Sequence, residues 1–358
     1  MGTVTVAPEF APSAGLRALG VVMDVYKHVF AAGKTAQLLS RSNPVRRSGF
    51  DLDVDVESVR EEADDVLSLS LVAHDGLRLP EWKPGAHLDV FLPSGRQRQY
   101  SLCGDPADRM RYRIAVRRIG DGGGGSREVH EAVRTGDVLR IRGPRNAFTF
   151  IRASSYLFVA GGIGITPILP MVRAADAAGA RWKMVYLGRS RSTMPFLDEL
   201  SGCAGGELEI RPDDEFGTPD ATDLIDRAEP GAAVYVCGPP PVIEAAQRTM
   251  FVVNPTGSLH TERFSALPVR DGKAFDIRLA RTGTTIRVGA DEPALAAIRR
   301  AIPGAVYSCQ QGFCGTCKVA VLAGGVDHRD RTLLDSERAD YMLSCVSRAS
   351  GDSLVLDL

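Results

Sequence analysis

The sequence predicts a multidomain β and α/β chain in three parts: an antiparallel β-barrel, a parallel-sheet α/β domain and a small β-rich C-terminal domain. Three observations carry that prediction. Residues 50–150 break into short alternating runs separated by Gly, Pro and Asp. From Ser155 the runs become continuously apolar and alternate with helical stretches, and three of the seven cysteines crowd into residues 309–317 with a fourth at 345. A length of 358 residues accommodates the division at roughly 100–200 residues per domain. Composition is that of a globular protein, 44% apolar and 24% charged, and a formal net charge of −1 argues against a broad electrostatic grip on nucleic acid. No apolar run approaches the ~20 residues that cross a bilayer. The N-terminus also lacks a basic stretch leading into an apolar core and a small-residue cleavage site. The expected location is the cytoplasm.

Residues 1–47 stand apart. Leu16, Leu19, Met23, Tyr26 and Phe30 recur at three- to four-residue steps, the pattern of an amphipathic helix. A helix packed on the protein's own body is the preferred reading, ahead of a docking or membrane-surface helix. The stretch 41–49, with Pro44, reads as linker.

The barrel begins with strict alternation over Phe50–Val56. Val66–Ala73, His87–Leu92, Tyr112–Val116 and Val138–Arg142 read as further strands, with one helix at roughly Arg127–Val133. In Arg98-Gln99-Tyr100-Ser101-Leu102 the guanidinium offers a forked cation to a phosphate. Strand alternation places Tyr100 on the same face as Arg98, and the Ser101 hydroxyl can hydrogen-bond a ring nitrogen. Ala115-Val116-Arg117 is followed by Gly122–Gly125 and Ser126. A glycine run feeding a helix N-terminus is a phosphate cradle. The plainer alternatives are a surface strand and a floppy surface loop.

The α/β domain opens on the buried strand Tyr156–Ala160, a Gly-rich turn and a helix from Ile168 to about Ala178; Trp182–Leu187 and Ala233–Val236 are further strands. The turn reads Gly161-Gly162-Ile163-Gly164-Ile165-Thr166-Pro167. Glycines between a buried strand and a helix N-terminus let backbone N–H groups reach a pyrophosphate, although Pro167 stands where a third glycine belongs. Cys237-Gly238-Pro239 ends another strand at the sheet's carboxyl edge, where ligands bind in open α/β sheets; a buried core cysteine is the plainer reading of Cys237. No acid ends the second strand. Arg189 and Arg191 stand there instead, able to accept a 2′-phosphate or simply solvated.

Cys309-x₄-Cys314-x₂-Cys317, with Cys345 twenty-eight residues on, is the strongest signal. Three thiolates from one tight loop and one from a distant segment is plant-type [2Fe–2S] spacing. A structural zinc site usually takes CxxC pairs, and here one ligand stands alone. Gly312 and Gly315 let the backbone turn its N–H groups toward the sulfurs, and Ser308, Gln310 and Gln311 keep bulky carbon from the approach. Cys103 and Cys203 read as small buried apolar residues.

The run Tyr307–Cys317 and the later Leu343-Ser344-Cys345-Val346-Ser347-Arg348 resemble plant-type ferredoxin domains of oxygenase reductases. The pair GGIGITP…CGP resembles the nucleotide domain of ferredoxin–NADP reductase-like enzymes, and Arg98–Leu102 matches the flavin signature of that superfamily. Together, from about residue 50 to the end, the chain resembles the phthalate dioxygenase reductase and vanillate demethylase reductase family. That resemblance implies an FMN-binding barrel at 48–152, an NAD-binding domain at 153–264, a linker at 265–273 and a β-grasp-type ferredoxin domain at 274–358. It implies NADH as donor, and Cys237 beside the nicotinamide. It also implies that Phe264, in His260-Thr261-Glu262-Arg263-Phe264, and Thr166 touch the flavin. Residues 1–47 have no counterpart in the basic three-domain pattern, and Gly124 replaces an arginine common in the glycine run.

The expected activity is electron transfer from NADH to FMN to [2Fe–2S] and on to a separate terminal oxygenase of the Rieske non-haem iron kind. Ser101 and Cys237 are expected at the reacting centre. The work is geometry and tuning rather than acid–base catalysis, so the lack of a His/Asp/Ser arrangement is no objection. A haem-thiolate monooxygenase or other one-electron acceptor is the alternative, and a non-catalytic redox sensor is a weaker one. With ten basic and ten acidic residues across 274–358, partner docking is expected on a local patch around Phe313 and Gly315 rather than through long-range charge.

Overall fold

The computed structural model describes residues 50–120, 124–307 and 309–358. The expected N-terminal helix, Gly122, Gly123 and Ser308 lie outside the described residues. No helix among those described is long and apolar enough to cross a membrane.

The first domain is a six-stranded antiparallel sheet of β1 (Phe50–Ala63), β2 (Val66–Ala73), β3 (Ala86–Phe91), β4 (Gln97–Ser101), β5 (Arg111–Arg117) and β6 (Val138–Asn146), ordered β4-β3-β6-β1-β2-β5. The alternation of β1 turns Val54 and Val56 inward against Leu69, Leu71, Leu88, Val90, Ile114 and Ile141, all buried. Beyond Val56 the strand continues through two register shifts, which break strict alternation and hid its second half from the sequence pattern. The expected barrel does not close. Its edge strands meet at one isolated bridge, Leu102 to Ile114, rather than along a ladder. Helix α1 (Gly125–Ala132) starts on Gly124, whose φ of 78° suits glycine.

The second domain is an all-parallel sheet of β7 (Ser155–Gly161), β8 (Arg181–Gly188), β9 (Glu207–Pro212), β10 (Ala233–Cys237) and β11 (Ser258–Glu262), ordered β11-β10-β7-β8-β9. The central strands β7 and β10 are buried almost throughout, which is why they read clearly. The edge strands β9 and β11 are only half-buried and carry no continuous apolar signal. From β7 the chain passes through helix α2 (Ile165–Ala177) to β8 and then β9. It returns to lay β10 on the other side of β7, and helix α3 (Pro240–Val253) leads to β11. The order therefore reverses between β7 and β10, the switch point at which such sheets bind ligands.

These two domains share a core, in which Val66, Cys103, Ala115 and Phe148 pack with Phe158, Ile168, Met171 and Tyr235. Arg113 clamps Glu199 with two bonds of 2.7 and 2.8 Å and lies over the Phe196 ring. The third domain has its own core. Its sheet, ordered β13-β12-β18-β14-β16, comprises β12 (Phe275–Leu279), β13 (Thr285–Val288), β14 (Lys318–Ala323), β16 (Tyr341–Leu343) and β18 (Ser353–Leu356). A separate pair is formed by β15 (Val326–Asp327) and β17 (Arg348–Ala349). Helix α4 (Ala294–Ala301) covers the sheet with Ala294, Ala297 and Ile298 against Phe275, Ile277 and Leu354.

Candidate functional site

The carboxyl ends of β7 and β10 lie side by side, with Ala160 opposite Cys237, so the two loops leaving them meet. Gly161 and Gly164 make that contact feasible. A Cβ on Gly161 would sit 2.5 Å from Pro239 Cδ, and one on Gly164 would collide with the Cys237 carbonyl. The turn is thus a bare backbone surface at the start of α2, suited to a pyrophosphate. Pro167 lies buried in the first helical turn, and Thr166 Oγ1 donates to the Ile163 carbonyl at 3.0 Å. Arg117 reaches across from β5, its guanidinium 3.7 Å from where a Gly162 Cβ would stand. The Cys237 thiol is buried beside Glu262, and burial holds its pKa well above the ordinary thiol value, which keeps it neutral.

At the end of β8 the two arginines differ from a phosphate pocket. Arg191 is held by Glu215 through bonds of 2.7 and 3.1 Å, and the Arg189 carbonyl accepts from the Asp214 N–H. Asp213, Asp214 and Glu215 follow β9 directly, so three carboxylates offset Arg189, Arg191 and Arg211 at this corner.

In the first domain Arg98 packs on the N-terminus of α1. A Cβ on Gly125 would collide with the Arg98 guanidinium, and the Arg96 and Arg127 guanidinium groups lie 3.9 Å from where a Gly124 Cβ would be. Cations from neighbouring positions therefore surround the turn even though Gly124 supplies none. Ser126 Oγ accepts from the Ile119 N–H at 3.1 Å, leaving its own O–H to donate. Leu102, Ala115 and Val116 point into the core, so only their backbone could meet a ligand. Beside Arg98 runs a cavity lined by His87, Tyr100, Ser101, Arg263, Phe264 and Phe313. Three buried polar atoms around it have no hydrogen-bond partner among the described residues: Tyr100 Oη, His87 Nε2 and Glu262 Oε2. Buried polar groups are almost always satisfied, so these three atoms call for a polar partner at the cavity. Burial lowers the His87 pKa to about 4 and raises that of Glu262 to about 8.

The cysteine loop forms the cavity's remaining wall. Cys317 and Cys345 are buried and Cys309 and Cys314 half-buried. Mutual hydrogen bonding couples Cys309 with Cys314 and Cys317 with Cys345, pushing the second and third thiols down and the first and fourth up. Among the described residues no three His, Cys, Asp or Glu gather round one point. Two thiol pairs suit two irons with two thiolates each; a tetrahedral zinc needs all four sulfurs on one ion. Gln311 N–H lies 3.4 Å from Cys309 Sγ, and Thr316 Oγ1 3.3 Å from Cys314 Sγ. At Gly312, with φ of 78°, a Cβ would stand 2.8 Å from Val346, beside the fourth cysteine.

Residues 277–350 match the family model of the 2Fe-2S iron-sulfur cluster binding domain. The chain is 37% identical over 321 residues to the phthalate dioxygenase reductase of Burkholderia cepacia, an alignment covering 87% of this chain and 99% of that protein. The chain belongs to the phthalate dioxygenase reductase family. A solved phthalate dioxygenase reductase, described as a modular structure for electron transfer from pyridine nucleotides to [2Fe–2S], superposes with a TM-score of 0.66 at 37% identity. It covers 86% of this chain and 98% of that one. An intact type IV self-sufficient cytochrome monooxygenase matches with a TM-score of 0.68 at 40% identity, and this chain spans only 44% of its length.

For this family member, sequence reasoning pointed to the Gly161–Pro167 turn, the Arg98 strand and the four cysteines, while of its glycine run at 122–125 only Gly124 and Gly125 are described. It missed His87 and the half-buried Glu262 as parts of one cavity, because their signal is an orphaned atom in a fold and not a pattern in a chain. Phe313, expected with Gly315 in a docking patch, lines the cavity and is also 37% exposed, and a Cβ on Gly315 would meet nothing within 4 Å.

Proposed function

We propose that this protein is an NADH-dependent, FMN- and [2Fe–2S]-containing reductase that acts in the cytoplasm and supplies electrons to a separate terminal oxygenase. One observation carries the reading: a single cavity is walled by the Arg98–Ser101 strand, the Glu262–Phe264 end of the nucleotide domain and the loop bearing Cys309. Arg98, Gly125 and Ser126 would hold the FMN phosphate at the α1 N-terminus, where a terminal dianion is best accommodated. Tyr100 and Ser101 would face its ring, Leu102, Ala115 and Val116 would meet it through backbone, and Phe264 would cover it. Gly161, Gly162, Gly164, Thr166 and Pro167, with Arg117, would seat the NADH pyrophosphate, and Cys237, Gly238 and Pro239 its nicotinamide. Engagement of Arg191 by Glu215 supports NADH over NADPH. Cys309, Cys314, Cys317 and Cys345 would ligate the cluster. When bound, the flavin supplies conversion of one hydride from NADH, which leaves as NAD⁺, into two single electrons that pass through the cluster to an external acceptor.

Relatives that are reductases of phthalate dioxygenase systems support an oxygenase as that acceptor, which we take to be of the Rieske non-haem iron kind, with domains at 48–152, 153–264 and 274–358. The 40% identity to a self-sufficient monooxygenase favours, as second reading, a haem-thiolate acceptor. Anaerobic reconstitution with FMN, iron and sulfide should yield flavin and cluster absorption that NADH bleaches. Cys345→Ser should erase the cluster bands and leave flavin reduction. A colourless protein would overturn the proposal.

A further inference from the structure

The cysteine loop is joined to the other two domains by hydrogen bonds that belong to no β-ladder. Tyr307 Oη donates to the Gln97 carbonyl at 2.7 Å, and Gln97 Nε2 donates back to the Tyr307 carbonyl at 3.2 Å, across 210 residues of chain. Both residues are buried, and the Arg299 guanidinium lies 4.0 Å from the centre of the Tyr307 ring. Gln97 immediately precedes Arg98. Tyr307 is packed against Cys317 and Cys345 in the small core beneath the cysteine loop. A third bond lies on the other side: Gln311 Nε2 donates to the Arg263 carbonyl at 2.8 Å, while its own N–H points at Cys309 Sγ. The first two domains share an apolar core and the third does not, and the connection between them has no regular structure from Arg263 to Ala274. Directed hydrogen bonds, not shared apolar burial, therefore fix where the cysteine loop sits.

We propose that Gln97, Tyr307 and Gln311 are positioning residues, a three-point latch that holds the cluster loop against the flavin strand in one register. The inference rests on the flavin and cluster reading above. A latched loop holds one arrangement of the cysteine loop against the Arg98 strand where a merely tethered domain would sample many. The electron count is unchanged: each NADH yields two electrons that cross this contact singly and are removed by a one-electron oxidant such as ferricytochrome c. Gln97→Leu leaves the buried Tyr307 carbonyl without its donor, so that bond matters more than its net worth, whereas the Gln97 carbonyl deprived of Tyr307 still accepts from Arg98 Nη1 at 2.8 Å.

The test compares reconstituted wild type with Gln97→Leu, Tyr307→Phe and the double variant in anaerobic stopped flow. In Gln97→Leu, NADH should bleach the flavin at the wild-type rate while cluster reduction and ferricytochrome c reduction slow about tenfold or more, the equivalent of one well-made bond. Tryptic cleavage at the exposed Arg270 and Lys273 of the linker should accelerate in all three variants, with cluster absorption retained. Wild-type cluster reduction and wild-type cleavage in the double variant would overturn the latch. So would slowed flavin bleaching or lost cluster colour in Gln97→Leu, since the residue would then serve binding. Absence of flavin and cluster bands in the wild type would instead sink the reading on which the latch stands.

Discussion

Two corners of the molecule carry the same residue types to opposite ends. At the α1 N-terminus Arg98 is packed on a glycine that leaves room for it, and the acid lining the adjoining cavity, Glu262, has a carboxylate oxygen without a partner. At the end of β8, Arg191 and Glu215 neutralise one another across two bonds, both side chains being about half exposed. The first corner has bonds of its own, Arg98 to the Gln97 carbonyl at 2.8 Å and Arg96 to Glu128 at 3.1 Å, but it lies on a glycine turn beside a cavity; the second closes Arg191 and Glu215 on each other at the surface. An arginine in a sequence is thus evidence for an anion only together with what the fold sets beside it.

The largest effect should follow from breaking the first corner. Arg98→Ala should weaken FMN binding on the order of 100-fold, since charge-assisted bonds contribute about 1.5–3 kcal/mol each and a guanidinium can make two. Gly125→Ala, which drives a methyl group into the Arg98 guanidinium, should reproduce roughly a tenth of that loss with the fold intact by circular dichroism. Flavin fluorescence titration measures both. If Arg98→Ala binds FMN like wild type, the two corners are not different in kind.

The second corner is sharpened by releasing its arginine. Glu215→Ala removes the carboxylate that occupies Arg191 and would repel a 2′-phosphate, so the ratio of kcat/KM for NADPH to that for NADH should rise about tenfold, roughly the worth of one charge-assisted hydrogen bond. Arg191→Ala should leave NADH kinetics close to wild type, as expected for a surface ion pair. An unchanged ratio in Glu215→Ala would place the adenosine end of the cofactor elsewhere.

How much of this was legible beforehand follows from how far apart the determinants lie. The cluster spacing, the Gly161–Pro167 turn and the Arg98 strand are local, so a few consecutive residues disclosed them. The pairing of Arg191 with Glu215 crosses to the next strand, and the cavity draws its walls from residues near 87, 100, 263 and 313. No window of sequence contains such a set. The same limit hid the second setting of Phe313, which lines the cavity while remaining 37% exposed. It explains the open sheet as well: short strands announce themselves, but closure depends on whether β4 and β5 pair, which their own residues do not say.

The smallest effect tests the unpartnered acid itself. Burial lifts Glu262 from an ordinary 4.5 to about 8, so between those values the folded protein holds a proton that the unfolded chain releases, and stability must fall as pH rises. His87 acts in the opposite sense. Its pKa is lowered to about 4 from an ordinary 6.5, so its contribution is lost as pH falls through that interval and is complete above it. The two slopes oppose each other at acidic pH; between pH 7 and 8 that of Glu262 remains, with a ceiling of about 1.4 kcal/mol per pH unit for a single proton, beside a smaller decline from the exposed His74, whose pKa Asp55 raises. Glu262→Gln should therefore flatten the decline of Tm over pH 7–8 while leaving the acid limb in place. Glu215→Gln, whose carboxylate is already held low by Arg191, should leave the decline over pH 7–8 as in wild type. If the decline persists in Glu262→Gln, then Glu262 already has a partner in solution, and the contrast between a cavity kept open for a ligand and a corner closed on itself loses its acidic half.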